Sequence, residues 1–176
     1  MNEIAGYKIK TMKPIIYIMG VSGSGKTSIG KLLSQKTGIS FFDADDFHPQ
    51  ANIEKMKAGH ALNDEDRVVW LEQLHDLAKL QAKGNGAIIA CSALKEKYRI
   101  VLGDGITKPI WIFLEGNYET ISERMKNRPS HFMPASLLQS QLESLEIPFN
   151  ALRISVENSP AAIVEIISKY LMQKAS

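Results

Sequence analysis

Gly20 to Thr27 reads G-V-S-G-S-G-K-T, a full match to the phosphate-loop pattern G-x-x-x-x-G-K-[ST]. The pattern acquires structural meaning when a strand leads into it and a helix leads out. Both flanks are present: Ile15-Ile16-Tyr17-Ile18 is an apolar, β-branched run, and Ile29, Leu32 and Leu33 are spaced for one helical face. A strand, a glycine loop and a helix in this order commit the chain to an α/β fold. In such a loop the backbone N–H groups turn inward around a polyphosphate, and the helix aims its partial positive end at the same anion. Gly20, Val21, Ser22, Gly23, Ser24, Gly25, Lys26, Thr27 and Ser28 are therefore the expected nucleotide contacts. Lys26 is expected to reach the β- and γ-phosphates, and Thr27 to ligate Mg²⁺ through its hydroxyl.

The remaining chain alternates strand-like and helical stretches, the signature of a parallel sheet with helices on both faces. Strands are expected at Ile39–Phe42, Ala87–Ala90, Ile110–Leu114 and Leu152–Val156. Helices are expected near 50–57, 65–83, 118–126 and 135–145, with one after Cys91-Ser92 and one opened by Pro160. The 65–83 helix presents Val68, Leu71, Leu74, Leu77, Ala78 and Leu80 as its buried stripe. At 176 residues the chain suits one domain, spanning 13–176, with residues 1–12 as a flexible leader. The net charge of +2 is scattered rather than blocked, which offers no basic face for nucleic acid. No run is long and apolar enough for a membrane span. Cys91 is the only cysteine, so no internal disulfide can form and a reducing, cytoplasmic setting is expected.

Ligands of open α/β sheets collect beyond the carboxyl ends of the strands, where this chain places polar residues. Asp43 and Asp45 end the second strand at spacing i, i+2, and both face the cleft if the strand's alternation persists. One carboxylate can serve the metal while the other meets a hydroxyl nucleophile. A solvated turn with one acid as a helix cap is the competing reading.

The stretch Asp43-Ala44-Asp45-Asp46-Phe47-His48-Pro49, followed by Asn52, Lys55-Met56, Gly59, Leu62, Asp64, Asp66-Arg67 and Trp70-Leu71, resembles the gluconate kinase pattern. Cys91-Ser92-Ala93-Leu94-Lys95 with Tyr98-Arg99 continues it, as do Leu114-Glu115-Gly116, Arg124, Arg128, His131-Phe132-Met133, Leu138 and Ser140-Gln141. The resemblance runs from about Lys13 to the end. It implies ATP-dependent phosphorylation of D-gluconate to 6-phosphogluconate, with ATP and Mg²⁺ as cofactors. It also implies a small-kinase fold similar to shikimate and adenylate kinases: a five-stranded parallel sheet and a mobile lid, here at about 118–140. A homodimer is implied as well, although one sequence assigns no interface. The chain departs from the common pattern at Ala44, at Val68-Val69 and at Pro129-Ser130, and none of these changes removes a charged group. Pro129 fixes φ and stiffens the expected lid hinge.

By the same resemblance Asp43 is the metal-side acid and Asp45 the acid at the acceptor hydroxyl, with the base left open between them. Lys26, Asp45 and Arg128 are the expected catalytic residues. Arg67 is the candidate for the gluconate carboxylate, because a guanidinium fork matches a carboxylate bidentately. His48, Ser92, Arg99 and His131 are further substrate candidates. Lys55 and Lys95 are read as solvated helix faces, Cys91 as a buried small residue, and Trp70 as core or pocket wall. Arg124 and Arg128 lie i, i+4 on one helix face, the spacing of a lid that neutralises phosphates on closing. Arg124 and the Asn158-Ser159-Pro160 turn are expected to flank the adenine. Two other readings share many of these features: a small kinase for shikimate, a nucleoside or another sugar acid, and a nucleotide-responsive switch. The absence of N-K-x-D argues against a guanine-reading switch.

Overall fold

The computed structural model describes residues 14–126 and 136–175. The described segments form one parallel sheet in the order β2-β3-β1-β4-β5, flanked by helices. The strands are β1 (Ile15–Met19), β2 (Phe41–Asp43), β3 (Ala87–Ala90), β4 (Ile110–Glu115) and β5 (Leu152–Ser155). The helices are α1 (Lys26–Thr37), α2 (Gln50–Lys57), α3 (Val68–Lys83), α4 (Glu96–Gly103), α5 (Tyr118–Lys126), α6 (Ser136–Ser144) and α7 (Pro160–Lys174).

β1 is central and buried along its whole length, which is why its residues are apolar without alternation. Its side chains nevertheless divide by the period of two. Ile16 and Ile18 join Ile29, Leu33, Ile163 and Ile167 under α1 and α7. Ile15, Tyr17 and Met19 join Trp70, Leu74 and Leu102 under α3 and α4. Tyr17 is fully buried, stacks on Trp111 with ring centroids 4.4 Å apart, and donates its hydroxyl to Leu102 O at 2.8 Å. β3 lies on one side of β1 and β4 on the other. The strand order therefore reverses beside the carboxyl end of β1, and that crevice is where an α/β sheet binds its ligands.

Several boundaries differ from the sequence expectation. β2 begins at Phe41 rather than Ile39 and ends on Asp43, because Phe41 to Asp43 are the residues that pair with Ile88 to Ala90. Glu65–Arg67 is a 3₁₀ turn, and the α-helix starts at Val68. The buried face of α3 is Trp70, Leu71, Leu74 and Ala78, whereas Val68 and Leu80 are exposed. At 3.6 residues per turn, positions 70, 71, 74 and 78 share one side, and 68 and 80 rotate off it. Among the described residues no helix is long and apolar enough to cross a membrane.

Candidate active site

The donor side is built where β1 passes into α1. Gly23 and Gly25 hold φ of 80° and 98°, a region that residues with a Cβ seldom enter. A Cβ on Gly23 would also come within 2.6 Å of Met125 Cγ, so the loop is packed against α5 as well as bent. Lys26 lies back along the loop and donates to Val21 O at 3.1 Å. A cavity of about 330 Å³ adjoins the loop, lined by Ser24, Gly25, Ser28, Arg124, Asn158 and Pro160. Arg124 is held there by a hydrogen bond to the Val156 carbonyl. Ser159 caps α7 through Ala162 N, and Pro160 takes the first helical turn. The structure thus gathers the two expected adenine-side residues and the phosphate loop around one cavity.

Thr27 and Asp43, sixteen residues apart, meet directly: Thr27 Oγ1 donates to Asp43 Oδ2 at 2.6 Å. The other oxygen, Asp43 Oδ1, accepts from Asp45 N at 3.1 Å and caps the 3₁₀ turn Ala44–Phe47. This local bond ends the strand's alternation, so Asp45 is positioned by the turn and not by the pleat. Asp43 is accordingly both a turn cap and a neighbour of the phosphate loop, which unites the two competing readings. Among the described residues no three His, Cys, Asp or Glu side chains cluster as a metal cage. A hydroxyl and one carboxylate beside a phosphate loop suit Mg²⁺, which takes few protein ligands and completes its shell with water and phosphate oxygens.

The acceptor side surrounds Arg67. Its guanidinium carbon lies 5.5 Å from the Tyr98 ring centroid and 6.0 Å from that of Trp70. Its Nε is buried and has no hydrogen-bond partner among the described residues. Trp70 is buried and donates its indole N–H to Ala44 O at 2.7 Å, which ties α3 to the turn that carries Asp45. His48 stacks on the same indole with ring centroids 4.5 Å apart and planes 8° from parallel. Burial, and secondly the charge of Arg67, lower the His48 pKa to about 4. Its ring is therefore neutral at physiological pH. On the far side of the 3₁₀ turn, Asn63 and Asp66 cap each other: Asn63 N donates to Asp66 Oδ2 and Asp66 N to Asn63 Oδ1, each at 2.8 Å.

Lys55 and Lys95 are not simply solvated. Lys55 pairs with Asp66 at 2.6 Å, and Lys95 with Asp64 at 3.0 Å. Asp64 also receives Lys97 and the Tyr98 hydroxyl. The hydrogen bonds from Lys97, Tyr98 and Lys95 hold its carboxyl well below the usual carboxylate range. Asp66 is likewise held low, chiefly by Lys55. These two acids fix the orientation of Tyr98 and, through the 3₁₀ turn, of Arg67. Asp64 and Asp66 have no role in the sequence reading, because the partners of Asp64 lie 31 to 34 residues away; the N-x-x-D spacing at Asn63 is the one local signal.

Cys91 sits at the end of β3, where burial pushes its thiol up to about 12, and the charges of Lys26, Asp45 and Arg67 all act on it. Those three residues, from three separate segments, thus lie near enough to one strand end for their charges to be felt there. Ser92 adjoins them, its carbonyl accepting from Gly20 N at 3.4 Å. Arg99 is placed differently. It is buried, donates to Ala93 O and Leu94 O, and engages Glu96 through Nε and a terminal nitrogen. It lines a separate cavity of about 370 Å³ beside Trp111 and the Pro148–Asn150 turn. Its geometry is that of a brace for the 93–96 loop and not of a substrate contact. Arg128 and His131, with the 127–135 part of the expected lid, lie outside the described residues. Gln141 was part of the sequence pattern without a role; on α6, its Oε1 accepts from Ser22 N at 2.7 Å.

Comparison with known proteins agrees with this arrangement. The shikimate kinase family model matches residues 22–168. The thermosensitive gluconokinase of Escherichia coli K12 is 44% identical over 153 residues, covering 84% of this chain and 82% of the relative. A gluconokinase of Arabidopsis thaliana is 43% identical over 169 residues, covering 87% and 89%. The crystal structure of a gluconokinase from Sinorhizobium meliloti 1021 superposes with a TM-score of 0.83 at 38% identity, covering 93% of this chain and 94% of that one.

Proposed function

The chain belongs to the gluconokinase family of the shikimate-kinase-like P-loop enzymes, and we propose that its reaction, ATP-dependent phosphorylation of D-gluconate, is carried out at the strand ends described above. The adenine occupies the cavity between Arg124 and Pro160, and the triphosphate lies along the loop from Ser28 towards Ser22. Thr27 and Asp43 would hold Mg²⁺, which supplies charge neutralisation at the β- and γ-phosphates. Lys26 leaves Val21 O to bridge the same phosphates. Gluconate binds with its carboxylate on Arg67 and its 6-hydroxyl at Asp45. His48 and Ser92 contact intermediate hydroxyls, and Arg99 is left out of the substrate set because its donors are engaged in the loop.

Transfer is in line. The gluconate O6 forms its bond to Pγ as the bond from Pγ to the β–γ bridging oxygen breaks, and ADP departs with that electron pair. Asp45 orients the hydroxyl and takes its proton. Asp43 is tied to Thr27 beside the phosphate loop and to Asp45 N, which suits it to the metal side. Most of the catalysis in such a reaction comes from positioning and charge neutralisation.

The observation that carries this reading is the half-buried Arg67, stacked between Trp70 and Tyr98 with a partnerless Nε. A buried charged donor without an acceptor is costly, and a carboxylate ligand satisfies it. The test is ADP release with ATP and Mg²⁺ across an acceptor panel. Turnover with D-gluconate and not with D-glucitol, which keeps the C2–C6 hydroxyls and carries CH2OH in place of the carboxylate, is the expected result. Comparable turnover on both would overturn the role of Arg67, and turnover confined to shikimate or a nucleoside would overturn the acceptor assignment.

A further inference from the structure

The phosphate loop has one contact that neither the adenine cavity nor the Thr27–Asp43 pair explains. The Ser22 N–H, in the glycine loop itself, is already bonded to an acceptor, and that acceptor is the Gln141 side chain, 119 residues away on α6. The lysine of this loop serves the β- and γ-phosphates, and its ammonium rests on Val21 O, the carbonyl of the same peptide unit that carries the Ser22 N–H. The Ser22 amide therefore marks the γ end of the loop. An amide oxygen 2.7 Å from it occupies the position of an anionic phosphate oxygen.

The other side of Gln141 faces the acceptor pocket. Gln141, Ser140 and Ser144 of α6 close a cavity of only about 30 Å³ against Arg67, Leu62 and Leu94. That space holds about one water and cannot hold a six-carbon acid. α6 thus touches the γ end of the donor site with one residue and fills the acceptor site with its neighbours.

We infer that Gln141 is a positioning residue that registers the γ-phosphate: its Oε1 holds the Ser22 N–H until a γ-phosphate oxygen displaces it, and the release frees α6 to open the Arg67 pocket to the acceptor. A diphosphate does not reach Ser22 and leaves the tether in place. This rests on the loop being an ATP site, as proposed above, and it adds an order to the reaction: triphosphate first, acceptor second.

The test compares calorimetric affinities, with Mg²⁺ present, for ADP and for the non-hydrolysable triphosphate AMPPNP in the wild type, Gln141→Leu and Gln141→Glu. Glutamate is isosteric with glutamine, leucine is one atom shorter and apolar, both are helix-compatible, and thermal midpoints check that each variant folds. Leucine removes the competitor for the Ser22 N–H, so AMPPNP binds about threefold to tenfold more tightly while ADP stays within about twofold. Glutamate strengthens the competitor and repels the γ-phosphate, so AMPPNP binding weakens by about tenfold or more with ADP again little changed. Opposite signs for the triphosphate alone are what a merely structural contact does not produce. Equal changes for ADP and AMPPNP, a shift of the same sign in both variants, or no shift in either overturns the inference. Failure of the wild type to bind either nucleotide would instead overturn the reading of the loop.

Discussion

Replacing Arg67 by Met separates what this residue does for binding from what it does for folding. On the stability side two effects nearly cancel. The guanidinium sits near the faces of Tyr98 and Trp70 at 5.5 and 6.0 Å, contacts that contribute about 0.5–1 kcal/mol each. Its buried, partnerless Nε costs about 1–3 kcal/mol in the ligand-free protein. Met keeps the length and apolar packing of the stem and removes both effects, so the ligand-free stability changes by less than about 1–2 kcal/mol in either direction. For a domain of this size that is a shift in thermal midpoint of only a few degrees, about 2–4 °C per kcal/mol. On the binding side the loss is large. A forked carboxylate contact comprises two hydrogen bonds to a charged group, about 1.5–3 kcal/mol each, so kcat/KM for gluconate falls by about 10²–10⁴. Arg67→Lys keeps the charge and one bond and falls between the two. The assays are thermal unfolding without ligand and steady-state kinetics in gluconate and in ATP. A large fall in the midpoint, an unchanged kcat/KM for gluconate, or a parallel rise in the KM for ATP would each refute the assignment.

Two further perturbations address the neighbouring groups. Asp43→Asn keeps one acceptor oxygen, for Asp45 N, and replaces the oxygen facing Thr27 by an amide donor, which removes the negative charge beside the Thr27 hydroxyl, so kcat falls by about 10²–10³ and half-maximal activity needs more Mg²⁺. An unchanged Mg²⁺ titration would count against Asp43 as a metal-side ligand. His48 has a folded-state pKa of about 4 against 6.5 for the free side chain, so the unfolded chain binds more protons between those values. Its stabilising contribution is complete above pH 6.5 and is lost as pH falls towards 4. His48→Phe preserves the stack on Trp70 and cannot titrate. Urea unfolding should show the wild type losing about 1 kcal/mol more than His48→Phe between pH 7 and 5, after allowance for solvent screening at this half-buried site. Equal losses would show that the ring titrates normally.

The sheet was legible from local rules because each of its strands carries its own signal. β1 through α1 reads directly, since an apolar run, a glycine loop and an amphipathic helix are contiguous, whereas the order of the strands has no local signal. The errors occur where a long-range pairing overrules a local preference. Ile39 is β-branched and fully buried, yet the strand begins two residues later because that is where β3 offers partners. Val68 and Leu80 are apolar and exposed, while the aromatic Trp70 takes the buried face, because the turn at Ala44 provides an acceptor for its indole N–H. Asp43 and Asp45 are linked at the strand end, but the alternation expected to align them is replaced by a side-chain cap onto the Asp45 N–H.

The acceptor side was far less legible, and the reason is electrostatic. A lysine in a sequence carries no sign of whether its charge is available, and here Lys55, Lys95 and Lys97 are each held by Asp64 or Asp66. Arg67 differs from these lysines only through its surroundings. Two aromatic faces and a reciprocal Asn63–Asp66 cap hold it in place, and among the described residues no carboxylate reaches its Nε. Three lysines thus pair with two carboxylates, and Arg67 stands beside them as a fourth cation. His48, stacked on the same indole that Arg67 overlies, stays neutral chiefly because it is buried and secondly because Arg67 opposes a further positive charge. If Arg67 takes the acceptor's carboxylate as proposed, the pocket's selectivity for an acid over a polyol resides in this cation, whose Nε has no hydrogen-bond partner among the described residues. Moving an acid next to it, as in Leu62→Asp, would satisfy Arg67 internally and abolish that selectivity without touching a residue of the phosphate loop.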